Sequence, residues 1–310
     1  MKRAFLFPGQ GAQTAGMGKD VFDACPEAAA VYKKAGEILG YDIAQLCFAG
    51  PAEKLDTTTY SQPAIFVTSA AMLEVFKKHA VGQNITADVT GGLSLGEYTA
   101  LYAAGAISFE DGLRLVAKRG AAMQDAAEKS EGLMVSVLGL DAQKVKALCE
   151  KASEGELLVP ANFNCPGQVV ISGTKKACER AEKLAAEFGA IKAIVLRVAG
   201  AFHSSMMSPA AEALGAALKD TNITMPAQAK VIANVKADYY GSGEEVRSGL
   251  AKQLVEPVLW QNCCEKLLAD GVDEFYEIGP GKVLTGLMKK VSRRTNIVNI
   301  STLACFGELK

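Results

Sequence analysis

The chain has 310 residues, a formal net charge of −1, 49% hydrophobic residues and 30 glycines. That length can bury a large core, and the composition fits an α/β enzyme rather than a disordered or fibrous chain. A charge near zero supplies no field for nucleic acid or for a membrane surface.

Eight cysteines are scattered along the chain without a Cys-x-x-Cys, and there are only two histidines. No metal site is expected from such a set, and free thiols of a cytoplasmic protein are the expectation. After Met1-Lys2-Arg3 the apolar run ends at Pro8-Gly9, too short for a signal-peptide core, and no later segment approaches a membrane span.

In chain order, Arg3–Phe7 reads as a short buried strand stopped by Pro8-Gly9-Gln10-Gly11. Helical spacing follows over 28–39 and 63–78, and His79 closes the second helix just before Gly82, where an imidazole suits the last-turn carbonyls. A strand is predicted over 85–90, leading into Gly91-Gly92, with a helix over 98–106. Ser108-x-x-Asp111 resembles a capping box opening a helix that runs to about Ala127. This alternation predicts a mostly parallel sheet.

The rhythm then changes. Strands over 132–139, 157–162, 168–172 and 191–198, with helices over 141–152 and 175–188, give the order β-α-β-β-α-β. We read 128–198 as a ferredoxin-like small domain inserted into an α/β-hydrolase-like catalytic domain made of 1–127 and 199–310. The larger part resumes with a helix opened by Ser208-Pro209, a strand over 230–234 and helices over 246–254 and 260–269. Strand Glu274–Ile278 and helix Val283–Val291 follow, joined through Gly279-Pro280-Gly281.

Gly92-Leu93-Ser94-Leu95-Gly96 is a Gly-x-Ser-x-Gly run with a strand behind it and a helix ahead. A serine on such a turn is lifted out of the sheet, and the N–H of Leu95 is placed to receive a developing oxyanion. A plain strand-ending turn is the bland alternative. With His79 at a helix end, His203, after a predicted strand, is the candidate base for Ser94. No Asp or Glu lies close to it in sequence, so a Ser–His dyad held by a carbonyl or an amide is expected rather than a triad. The turn after Phe7 can offer the Gln10 N–H as a second oxyanion donor. Arg119 is framed by Leu115, Val116, Ala122 and Met123. Periodicity alone favours a packed stem with its head in water; a buried guanidinium would instead need an anion. Lys289-Lys290 and Arg293-Arg294 read as a solvated face that can also meet an acidic partner.

Phe7-Pro8-Gly9-Gln10-Gly11, Ser94-Leu95-Gly96-Glu97, Lys118-Arg119-Gly120, Asn162-Phe163-Asn164-Cys165-Pro166-Gly167-Gln168 and Gly279-Pro280-Gly281-Lys282-Val283-Leu284 together resemble the malonyl-CoA:acyl-carrier-protein transacylase family. The motifs span nearly the whole chain. The resemblance implies ping-pong malonyl transfer from coenzyme A to acyl carrier protein, with no bound cofactor. Ser94 would be the nucleophile, His203 the base and then the acid, and Gln10 and Leu95 the oxyanion hole. Arg119 would grip the malonyl carboxylate, which reverses the solvated reading, and Gln253 would orient His203 through its carbonyl. Ala201-Phe202-His203 looks malonyl-selective by the same resemblance. Many family members carry His before the nucleophile, where this chain has Leu93. The competing readings are a serine acyl hydrolase, which has little use for a buried guanidinium when its esters are neutral, and an interaction-only subunit.

Overall fold

A computed structural model of the chain describes residues 1–79 and 85–308. Among these, the strands in chain order are β1 (Arg3–Phe7), β2 (Val89–Gly92), β3 (Gly132–Leu138), β4 (Leu158–Cys165), β5 (Gln168–Thr174), β6 (Lys192–Val195), β7 (Lys230–Val231), β8 (Glu274–Ile278) and β9 (Asn296–Ile300). They form two sheets. One is parallel with order β7-β2-β1-β8-β9, and the other is antiparallel with order β4-β5-β3-β6.

The parallel sheet is covered on both faces, as its central strand requires. In β1, Ala4 and Leu6 point into one apolar cluster with Val89, Ile232 and Phe275, while Phe5 and Phe7 point into another. A strand buried on both sides reads as a continuous apolar run rather than an alternating one. The second cluster is built on helices Thr58–Lys78, Gly96–Ala103 and Phe109–Glu128. The last begins as anticipated: Ser108 Oγ accepts from the Asp111 N–H at 3.0 Å.

In the antiparallel sheet, helices Ala142–Ser153 and Lys175–Leu184 cover one face around Val135, Val137 and Ile171. Met134, Ala161 and Val170 face the other way and join the core of the larger lobe. The small sheet thus packs its inner face on the larger lobe. The fold class expected from the alternation and its interruption is the one observed.

Several elements differ from the sequence reading. Helix Thr58–Lys78 starts five residues before Pro63, which lies inside it. Proline is favoured at a first turn, but here Ser61, Gln62 and the apolar residues after them are all buried, so packing carries the helix through. Gly91 and Gly92 belong to β2, in register with Leu6 and Phe7, rather than to the turn. Short helices Lys19–Ala24, Ile43–Ala49 and Ala52–Leu55 were not anticipated, nor was β9. Edge position explains β9, whose half-buried residues give a weak pattern.

His79 caps its helix with its own N–H to Val75 O. Its ring does not take up last-turn carbonyls: Nδ1 is buried with no partner among the described residues, and the ring packs near Phe306. Gly82 lies outside the described residues. Lys289 and Lys290 are both exposed, as a solvated face requires, and each also finds an acceptor. Lys289 Nζ donates to Thr295 O at 2.6 Å and Lys290 Nζ to Gln168 Oε1 at 3.0 Å, while Arg293 and Arg294 are exposed.

Glycine is required where the serine turn crosses β1. A Cβ on Gly96 would overlap the Phe7 carbonyl oxygen, whereas one on Gly286, in helix Val283–Val291, meets open space. Gly96→Ala is therefore expected to lower stability by about 2–4 kcal/mol, and Gly286→Ala to raise it by about 0.5–1 kcal/mol. Urea midpoints of the two variants check the pair.

Candidate active site

The turn between β2 and helix Gly96–Ala103 holds Ser94 in the left-handed region, at φ 51°. A non-glycine residue there is strained, and the conformation is held from both sides. Asn234 Oδ1 accepts from the Ser94 N–H at 2.7 Å while Asn234 Nδ2 donates to Gly92 O at 2.8 Å. The serine hydroxyl is thereby pushed out beyond the end of the sheet.

His203 also sits at positive φ, 56°, after β6. Its Nδ1 lies 2.6 Å from the Gln253 carbonyl oxygen, which can only accept, so the ring carries its proton there. Nε2 is left with a lone pair, 3.0 Å from Ser94 Oγ. No carboxylate touches the imidazole among the described residues. Burial pushes His203 down to about 4, the positive charge of Arg119 adds to that, and the Gln253 bond opposes it. The ring is therefore neutral at ordinary pH and able to take a proton.

Arg119 is the largest departure from the bare periodicity. It is 1% exposed, not solvated, because helix Phe109–Glu128 is enclosed on this side by helix Thr58–Lys78 and by the segment holding Gln253. Its Nη1 donates to Gln62 Oε1 at 2.8 Å, and its Nη2 to Gln253 Oε1 at 3.0 Å and Ser94 Oγ at 2.9 Å. The guanidinium also lies over the Tyr98 ring, 5.6 Å from its centroid. Every oxygen it reaches through these hydrogen bonds is neutral, so its charge is solvated but not cancelled. Burial lowers its pKa from the ordinary arginine value.

Ser94, His203, Arg119, Gln253 and Gln10 converge at one end of the parallel sheet. Ser94, His203 and Gln10 line a cavity of about 300 Å³ roofed by Met134 and Val170 of the small sheet, with Leu93 in its wall. The backbone N–H groups of Gln10 and Leu95 donate to no acceptor among the described residues.

Sequence reasoning missed four residues that support this group. Gln62 links Arg119 to Gln10, with Nε2 3.4 Å from Gln10 Oε1. Asn234 follows the two-residue strand β7, in a stretch expected to be all strand. Glu97 is fully buried and accepts from Gln253 Nε2 at 2.6 Å, from the Asn234 N–H at 3.1 Å and from Tyr240 Oη. A usable signal existed for Glu97, since it is the one charge in helix Gly96–Ala103. A lone carboxylate in so apolar a helix needs partners.

The depressed His203 predicts how Ser94 reacts with a neutral serine-directed reagent. The rate should stay level from neutral pH downward and fall tenfold per pH unit only below about 4, as the base becomes protonated. A midpoint at the ordinary histidine value would mean that the ring is solvated in solution.

Residues 4–310 match the acyl transferase domain family. The chain is 48% identical over 301 residues to the malonyl CoA-acyl carrier protein transacylase of Bacillus subtilis, covering 97% of this chain and 93% of that protein. It is 42% identical over 288 residues to the protein of the same name in Escherichia coli K12, covering 93% and 92%. The solved structure of the Coxiella burnetii malonyl CoA-acyl carrier protein transacylase superposes with a TM-score of 0.95 at 35% identity, over 99% of this chain and 96% of that one. With the motifs in place from one end to the other, the chain belongs to the malonyl-CoA:acyl-carrier-protein transacylase family of acyl transferases.

Proposed function

We propose that the protein moves a malonyl group from coenzyme A to the phosphopantetheine thiol of acyl carrier protein, in fatty-acid biosynthesis in the cytoplasm, through an ester on Ser94. One observation carries this reading. Ser94 Oγ lies 3.0 Å from a neutral imidazole and 2.9 Å from a buried guanidinium that has no anion in its hydrogen-bonding shell.

In the first half-reaction His203 Nε2 takes the Ser94 proton as Oγ attacks the thioester carbonyl, and the Gln10 and Leu95 N–H groups bind the oxyanion. The protonated imidazole then gives that proton to the departing coenzyme A sulfur. The Gln253 carbonyl fixes the ring and favours the imidazolium in passing, doing by hydrogen bond what a carboxylate does in a triad. In the second half-reaction the carrier thiol gives its proton to His203 and attacks the ester, and Ser94 leaves as the hydroxyl. A malonyl carboxylate stands one methylene beyond the acyl carbon, which suits Arg119 beside Oγ. An acetyl group offers Arg119 nothing. We also propose the division 1–127 plus 199–310 for the catalytic domain and 128–198 for the small one; the cavity between the two sheets supports it. A solved complex of a type II polyketide acyl carrier protein with its malonyl-transacylase, 36% identical over the whole of this chain at a TM-score of 0.95, supports the choice of acceptor. No helix among the described residues is long and apolar enough to cross a membrane.

Intact-protein mass spectrometry after brief mixing with malonyl-CoA tests the reading. A malonyl adduct is expected on the wild type and not on Ser94→Ala, and it should move to phosphopantetheinylated carrier protein in a chase. Steady release of free malonate without transfer would support a hydrolase instead.

A further inference from the structure

Arg119 and Glu97 are both buried, and nothing bonds them directly. The neutral side chain of Gln253 stands between them. Its Oε1 accepts from Arg119 Nη2 at 3.0 Å and its Nε2 donates to Glu97 Oε2 at 2.6 Å. The Glu97 carboxylate therefore balances the guanidinium across one amide. A malonyl carboxylate on Arg119 would change that balance, because the same interior would then hold two negative charges against one positive.

We propose that Glu97 is the internal counter-charge of Arg119, ionised before acylation and protonated once a malonyl carboxylate sits on the guanidinium, so that malonylation of Ser94 draws a proton into the protein. The proposal rests on the transacylase reading and adds a charge-balancing step to it.

Three further observations support it. Burial already raises Glu97 to about 7, with hydrogen bonds from Tyr240, Asn234 and Gln253 and the charge of Arg119 holding it down. Capture of Arg119 by the substrate would remove part of that restraint. The groups facing Glu97 are Tyr98 on its own helix and Tyr240, Arg119 and Cys263 from neighbouring elements, and apart from Arg119 each is neutral at ordinary pH, burial raising all three. A buried tyrosine also connects Glu97 toward the surface. Tyr240 Oη donates to Glu97 Oε1, and Tyr240 lines an outer cleft with Lys236, Glu245, Lys252 and Glu256, away from the acyl cavity. Tyr240 thus joins the buried carboxylate to the wall of that cleft, and the proton that neutralises Glu97 is drawn from solvent. One proton leaves solvent and one carboxylate is neutralised. The acyl transfer keeps its own balance, the serine proton ending on the coenzyme A sulfur.

The linkage has a sign. A ligand that raises a carboxylate's pKa binds more weakly as pH climbs through the free group's range. The KM for malonyl-CoA should therefore rise above about pH 7, and the KM for acetyl-CoA should not follow it.

The direct experiment mixes the wild-type enzyme with malonyl-CoA or acetyl-CoA in weak buffer near pH 8, reading protons with an indicator dye and acyl-Ser94 by mass in the same samples. Malonylation is expected to take up close to one proton per acyl-Ser94 beyond acetylation. Glu97→Gln keeps the shape, and its amide oxygen can still accept from Asn234 N–H and Gln253 Nε2; in that variant the excess should vanish. A carboxylic-acid carbonyl band that appears in the infrared on malonylation of wild-type enzyme carrying ¹³C-labelled glutamate supports the assignment without any variant. Equal uptake for the two acyl groups, or an excess that survives Glu97→Gln, overturns the proposal. Absence of any malonyl adduct would instead remove the transacylase reading, and the inference with it.

Discussion

A guanidinium held in the interior by neutral oxygens is the constraint on which the site depends. Taking Arg119 out of water costs several kcal/mol, on the order of what is known for buried ions, and the hydrogen bonds it donates to Gln62, Gln253 and Ser94 offset much of it. A carboxylate in direct contact would satisfy the charge fully, but it would also occupy the place a substrate anion needs. Separating Arg119 from Glu97 by one amide keeps the charge compensated and still available. Gln253 is the hinge of the arrangement: its side chain touches Arg119, Glu97 and the Ser94 carbonyl, and its backbone carbonyl holds His203.

The fold's contribution is two strained residues facing each other. Ser94 and His203 both adopt left-handed backbone, each costing on the order of 1–3 kcal/mol, and each is locked by its surroundings. Ser94 is fixed by Asn234 and by the tight crossing of Gly96 over β1, and His203 by the carbonyl of Gln253. Residues from distant parts of the chain meet here because the parallel sheet brings the ends of β1, β2 and β7 to one edge, and the small sheet closes over them.

How much of this was legible in the sequence depends on how local each signal is. The serine turn is local, with glycines and elements adjacent in the chain. The βαββαβ order of the small lobe is legible from periodicity alone. Arg119 was not: three-residue and four-residue neighbours describe one helix, and its enclosure comes from helix Thr58–Lys78 and from the segment after Lys252. Only the motif resemblance pointed to a buried, substrate-facing role. Gln62, Asn234 and Tyr240 matter through contacts separated by more than fifty positions in sequence, and a polar residue in such a place has no pattern of its own. Edge strand β9 and the short early helices were missed for a related reason, since each is held by neighbours more than by propensity.

In the proposed mechanism Arg119 is the group that tells malonyl from acetyl. The measurement that reaches this most directly is the ratio of kcat/KM for malonyl-CoA to that for acetyl-CoA, in the wild type and in Arg119→Ala. Loss of a charge-assisted pair at this buried guanidinium should cost malonyl transfer about 2–4 kcal/mol, collapsing the ratio on the order of 10²-fold while acetyl transfer changes far less. An unchanged ratio would mean that the malonyl carboxylate is bound elsewhere and that the buried guanidinium serves the fold alone.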